Sequence, residues 1–164
     1  MSAANKINIH HPFMDGVIIQ SLANGVVEAL KIMVNIEASF EKPFVGTNWK
    51  SPTDFSVYLN LNSDFYRGRI QFHFTEMVAK TIVEKLIGSE VIEKSEILDG
   101  VGEISNIFYG GAKTKLNSLG LNLAMSLPKP CLTKDLPKAI AETTCMLIPF
   151  KVLGEICYVE IILN

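Results

Sequence analysis

Two short apolar runs with a strict period of two, followed at once by a capped helix, limit this chain's architecture more than any other feature. Phe55, Val57, Leu59 and Leu61 alternate with polar or small residues, and after the turn formers Asn62, Ser63 and Asp64 the pattern resumes with Ile70, Phe72 and Phe74 against Gln71 and His73. Alternation gives each strand one apolar face, and the turn joins the two as an antiparallel hairpin. A lone hairpin is marginal in water, so another layer must cover its apolar side. The next residues supply one: Thr75 is an N-cap for a helix over Glu76–Ile87, and Gly88 stands where a left-handed C-terminal cap is expected.

The rest of the chain repeats this theme. A periodic segment from Phe13 to Asn35, with Val17, Ile18, Leu22, Val26, Leu30 and Met33 in a broad stripe, predicts a long first helix packed on a sheet. A short alternating piece, Ile7–His10, precedes it. Another helix is predicted from Ser95 to Ser118, stopped by Gly120. Beyond it the pattern predicts a strand over Leu121–Leu127, a proline-punctuated loop over 128–142, and a closing hairpin of Cys145–Leu153 and Ile156–Leu163. The order predicts an α+β fold, an antiparallel sheet with long helices packed on it, in two halves that each offer a helix followed by strands. No linker interrupts the pattern, so residues 1–164 are expected to form a single domain, and 48% hydrophobic residues are enough for one core.

Charge narrows the partners. Fifteen basic against 17 acidic residues leave no positive field for a nucleic-acid backbone or an anionic lipid surface, so neither is expected as a partner. The mean hydropathy of +0.27 raises the question of a membrane span. Residues 16–34, however, include Gln20, Asn24, Glu28 and Lys31, and the C-terminal run is broken by Pro149, Lys151 and Glu155, so neither reads as the roughly 20 apolar residues a span requires. The first residues lack a long apolar segment behind a basic start, so the expected location is cytoplasmic. Cys131, Cys145 and Cys157 are odd in number and form no CxxC pair, which favours reduced thiols over a disulfide framework or zinc. His10, His11 and His73 have no partner at metal or triad spacing and read as structural or exposed, and Trp49 reads as loop packing with Phe44 and Pro52.

One predicted helix carries a constellation. At about 100° per residue, Asp99, Glu103, Asn106, Gly110, Lys113 and Asn117 fall within an arc of about 80°, opposite Leu98, Val101, Ile104, Phe108, Ala112, Leu116 and Leu119. A solvated face has this pattern too. The same helix holds Gly100, Gly102, Gly110 and Gly111, each costing roughly 1 kcal/mol relative to Ala. Either the helix backbone packs closely on its neighbours there, or another surface comes close to Glu103 and Asn106.

The segment DGVGEISNIFYGGAKTKLN resembles the signature of the CheX/CheC/FliY family of chemotaxis phosphatases, with CheX-like members the nearest. In that signature an acidic or serine residue, a Glu four positions on and an Asn three further share one helix, as Asp99, Glu103 and Asn106 do here. The order of elements fits from about Ile7 to Leu163, so the resemblance implies the CheC-like fold with two pseudo-symmetric α-β halves. There are two departures. The family's proline would fall at position 129, where Lys129 stands between Pro128 and Pro130. The second Glu/Asn pair that some relatives carry on the first helix is missing from the register Asp15, Ile19, Leu22, leaving one site.

What the resemblance implies is removal of the phosphoryl group from the aspartate of a phosphorylated CheY-like receiver domain. Receivers already hold a divalent cation and a lysine around the acyl phosphate, so the missing part is an aligned water. A carboxamide can hold one without ionising, which makes Asn106 the candidate for that role. By similarity Glu103 pairs with the receiver's lysine, and Asp99, Gly110 and Lys113 are partner contacts. No metal site is expected in this chain, and magnesium is expected in the partner. The resemblance also implies a homodimer, with the strand Ile156–Leu163 as the candidate edge for pairing with a second copy. A receiver-binding module of the same fold without catalysis is the alternative.

Overall fold

The computed structural model describes residues 11–64, 66–124, 126–138 and 142–163, and the piece predicted at Ile7–His10 lies outside them. After a short 3-10 turn at Pro12–Met14, helix α1 runs over Gly16–Val34, with the Asp15 side chain accepting from the Val17 and Ile18 amides at its start. Strands β1 (Ala38–Phe40), β2 (Phe44–Thr47), β3 (Phe55–Asn62) and β4 (Arg67–Phe74) follow, then helices α2 (Glu76–Ile87) and α3 (Lys94–Ser118). Strands β5 (Lys129–Leu132), β6 (Thr144–Val152) and β7 (Glu155–Ile162) complete the chain. Helix α2 has the bounds expected from its caps: Thr75 Oγ1 accepts from the Val78 amide, and Gly88 takes the left-handed conformation at φ 72°.

All seven strands join one antiparallel sheet in the order β1-β6-β7-β4-β3-β5, with β2 also on β6. The topology has the expected two halves, related about the central β4–β7 pair. Each half hands its first strand to the other: β1 and β2 pair with β6 of the second half, and β5 pairs with β3 of the first. The inward alternation of β3 and β4 buries Phe55, Val57, Leu59, Ile70 and Phe72 against the helices, in one cluster with Leu22, Val26 and Leu30 of α1, Ile82 of α2 and Ile104 and Phe108 of α3.

Several expectations change. Strand β7 is interior, hydrogen-bonded to β6 on one side and β4 on the other, so it offers no edge to a second copy. Alternation identifies a strand but says nothing of its neighbours, and a homodimer has to use another surface. Residues 121–124 and 126–127 are irregular rather than a strand, and the ladder forms later, at β5. The two short strands β1 and β2, divided by Glu41, Lys42 and Pro43, lacked a period long enough to read. By length and a mean hydropathy of 1.5, α1 does reach the threshold for a membrane span. Most of its apolar stripe is nevertheless spent on the core, where Leu22, Ala23 and Leu30 are buried, while Val17 at its start and Met33 near its end, both read as part of that stripe, are exposed.

The opposite face of the sheet is covered as well. The Asn48 amide donates to the Thr143 carbonyl and the Thr143 amide to Asn48 Oδ1, both at 2.9 Å, extending the β2–β6 pairing beyond Thr47 and Thr144 and fixing the start of the segment that carries Trp49. Trp49 lies on this face with its ring 5.6 Å from that of His73 and 4.9 Å from that of Tyr158. Beneath it, His73 shares hydrogen bonds with Ser56 Oγ at 2.7 Å and Glu160 Oε2 at 2.8 Å, and Gln71 Nε2 donates to Glu160 at 3.0 Å. His73 therefore takes the polar phase of its strand and is still buried.

Candidate functional site

Helix α3 starts at a capping box in which the Glu96 carboxylate accepts from the Ile92 and Glu93 amides at 3.0 and 2.9 Å. Those hydrogen bonds, Glu93's first, hold the Glu96 carboxyl below its usual value. At the other end Asn117 clamps Leu123 through both halves of its amide, donating to the carbonyl at 3.2 Å and accepting from the N–H at 2.6 Å. Asn117 thus belongs to the scaffold, although it shares the polar arc. Between the two ends, Ile97, Val101, Ile104, Phe108, Ala112 and Leu116 are buried, and Phe108 meets Phe72 of β4 at 5.5 Å between ring centres. Leu119, expected on the apolar side, caps the helix and is exposed.

The four glycines divide into two kinds. A Cβ on Gly100 would lie 2.4 Å from Val83 of α2, and one on Gly102 would lie 3.3 Å from Pro130 of β5, so these two let α3 settle against its neighbours. Internal packing explains them. A Cβ on Gly110 or Gly111 would meet nothing within 4 Å. Packing within the described fold requires neither of them, and of the two only Gly110 lies on the face of Glu103 and Asn106. The contact with Gly102 also brings a proline next to the site helix, one residue beyond the position at which the resemblance placed it.

On this braced helix Asp99, Glu103, Asn106 and Gly110 are exposed and Lys113 is half-buried. The structure brings them together along one face, as the periodicity required. Among the described residues, Asp99, Glu103, Asn106 and Lys113 have no side-chain hydrogen bond or ion pair. Glu103 and Asn106 stand one turn apart and so reach the same outside object. A carboxylate beside a carboxamide offers one charged acceptor together with a neutral group that both donates and accepts.

Other polar clusters do not compete. Ser56, His73 and Glu160 are connected in the order of a hydrolase triad, yet Ser56 is 0% and His73 1% exposed, so no substrate reaches them. Sequence spacing could not reveal this cluster, because Glu160 is 87 residues from His73 and only the β4–β7 pairing joins them. Among the described residues, no three His, Cys, Asp or Glu side chains form a group able to hold a metal. Burial pushes the Cys145 and Cys157 thiols up to about 12 and about 11, and Cys131 is also raised, so none of the three is a thiolate nucleophile near neutral pH.

Comparison with known proteins points the same way. Among solved structures the chain is similar to a chemotaxis protein CheX from Desulfovibrio desulfuricans, with a TM-score of 0.78 and 22% identity over 90% of this chain and 99% of that one. A CheC-like superfamily protein from Shewanella sp. PV-4 gives 0.77 and 25% over 91% and 98%. CheX of Borrelia burgdorferi, in a complex with CheY, BeF3 and Mg2+, gives 0.72 and 21% over 88% and 96%. A search of curated proteins returned no match. The family model described as chemotaxis phosphatase CheX matches residues 55–151, more than half of the chain, including β3, β4, α2 and all of α3. The chain therefore belongs to the CheX family of chemotaxis phosphatases.

Proposed function

We propose that this chain hydrolyses the aspartyl phosphate of a CheY-like receiver domain in the cytoplasm, with Asn106 orienting the attacking water and Glu103 pairing with the receiver's lysine. The observation that carries this reading is the pair itself: Glu103 and Asn106 are exposed, one turn apart and without partners among the described residues, on a helix fixed at both ends. Membership of a chemotaxis phosphatase family and the likeness to a CheX that forms a complex with CheY support a receiver as the partner.

In the proposed step, water held by the Asn106 amide attacks phosphorus in line with the bond to the receiver's aspartate. The P–O bond breaks, the aspartate leaves as carboxylate, and inorganic phosphate carries away the remaining water proton. The charge of the transferred group is met by the magnesium ion and lysine of the receiver. Free Glu103 would repel that group, and its pairing with the lysine cancels the repulsion while fixing the register of the helix. Asp99, Gly110 and Lys113 make the surrounding contacts, Gly110 by allowing a close approach.

The test follows phosphate release from a phosphorylated CheY-type receiver with magnesium. Added wild-type protein speeds the decay, and Asn106→Ala lowers the catalysed rate on the order of 100-fold, as loss of one positioning group does, while receiver binding survives. Binding with unchanged decay would assign the chain to the non-catalytic docking class instead.

A further inference from the structure

The segment between α3 and β5 returns alongside the site. Tyr109 Oη donates to the Ala124 carbonyl at 2.8 Å, the Asn117 amide holds Leu123, and Pro130 packs on Gly102. Ala124 and Pro130 thus meet α3 on either side of the turn that carries Glu103 and Asn106, and Leu127 lies between them in the sequence. It is 80% exposed. The prolines at 128 and 130 fix φ on either side of Lys129, so the backbone that presents Leu127 is already stiff before anything binds.

We infer that Leu127 is the apolar anchor of the receiver interface, a specificity-determining contact beside the Glu103–Asn106 pair; this rests on the receiver reading above. Exposed charges such as Asp99 and Glu103 set orientation but add little affinity in water, whereas an exposed apolar side chain desolvated in the contact adds affinity in proportion to the area it buries. Leu127 is a large exposed apolar residue in the segment that meets α3 on both sides of the pair's turn. The receiver it fits is one with an apolar patch beside its active site, and receivers with a charged residue there are rejected.

The experiment compares Leu127→Ser with wild type in receiver dephosphorylation over a range of receiver concentrations. The expected result is a KM raised about tenfold with kcat retained, an unchanged melting temperature, and recovery of the wild-type KM in Leu127→Met. Ile92→Ser, which alters an 88% exposed residue preceding α3, serves as the control and leaves KM unchanged. If wild type is active and Asn106→Ala is not, but Leu127→Ser has the wild-type KM, the anchor is refuted and the receiver reading stands. A change of oligomeric state in Leu127→Ser with no change in KM refutes it as well and assigns Leu127 to contact with a second copy. Wild-type protein inert toward phosphorylated receivers, and unable to bind a beryllofluoride-loaded one, overturns both readings together.

Discussion

Adding a methyl group at Gly110 and at Gly111 should have the same effect on stability, but only the change at Gly110 should affect function. Both positions lie inside α3, both are exposed, and neither Cβ would meet anything within 4 Å. Relative to Gly, Ala in a helix interior gains about 1 kcal/mol, since the unfolded chain has less freedom to lose. At about 2.1 cal/mol/K per residue the unfolding entropy of a chain this long is about 0.34 kcal/mol/K, so each substitution raises Tm by about 3 °C. Direction separates the two. At about 100° per residue Gly110 lies about 20° from the centre of the arc that holds Glu103 and Asn106, whereas Gly111 lies about 120° away. Gly111→Ala is therefore expected to be more stable with receiver KM unchanged, and Gly110→Ala to be equally stabilised with KM raised. Thermal denaturation followed by circular dichroism and the dephosphorylation assay measure the two effects on the same preparations. A Gly110→Ala protein that is stabilised and keeps its wild-type KM would refute the view that the glycine is there for an approaching surface. Failure of either variant to gain stability would refute the propensity argument itself.

Further outcomes follow from other parts of the fold. Gly100→Ala is expected to destabilise by about 1–3 kcal/mol in urea unfolding, because its Cβ would lie 2.4 Å from Val83 and α2 would have to move. Glu160→Ala leaves His73 and Gln71 buried without their partner, and the expected loss is about 3 kcal/mol or more by the same measurement; a loss below about 1 kcal/mol would contradict the role given to this network. Burial keeps the Cys145 and Cys157 thiols protonated up to about 12 and about 11, while the unfolded chain releases those protons near 9. Their contribution is therefore fully present below about pH 9 and is lost as the pH rises toward 11 to 12, with burial of Tyr66 adding to the loss in the same direction. Urea unfolding at about pH 8 and about pH 10 should show the decline, and a flat profile would rule it out.

The elements legible in the sequence were those whose signals are local. Helix α2 was framed by Thr75 and Gly88, and β3 and β4 by their alternation, because caps and period two are properties of adjacent residues. The shared face of Glu103 and Asn106 was legible for the same reason, since it needs only helical spacing. What escaped depended on distant chain. The burial of His73 comes from Trp49 and Glu160, which the fold brings over and beside it from far along the sequence. The interior place of β7 depends on β4 and β6 together. Leu121–Leu127 read as a strand on their apolar residues, yet the helix side chains of Tyr109 and Asn117 take up the Ala124 carbonyl and the Leu123 backbone groups, so residues 121–124 form no ladder.

The exchange of first strands between the halves bears on how the chain is made. When α1 to β4 have left the ribosome, β3 and β4 can pair with each other, but the outer edge of β3 awaits β5, that of β4 awaits β7, and β1 and β2 have no partner until β6 emerges. The nascent first half is therefore a hairpin with two open edges and an apolar face that α1 alone is present to cover, the kind of surface that recruits a chaperone or another nascent chain. Conversely, a single cut in the connection between α2 and α3 would leave two fragments that each hold strands the other needs, and they should stay associated and refold only together.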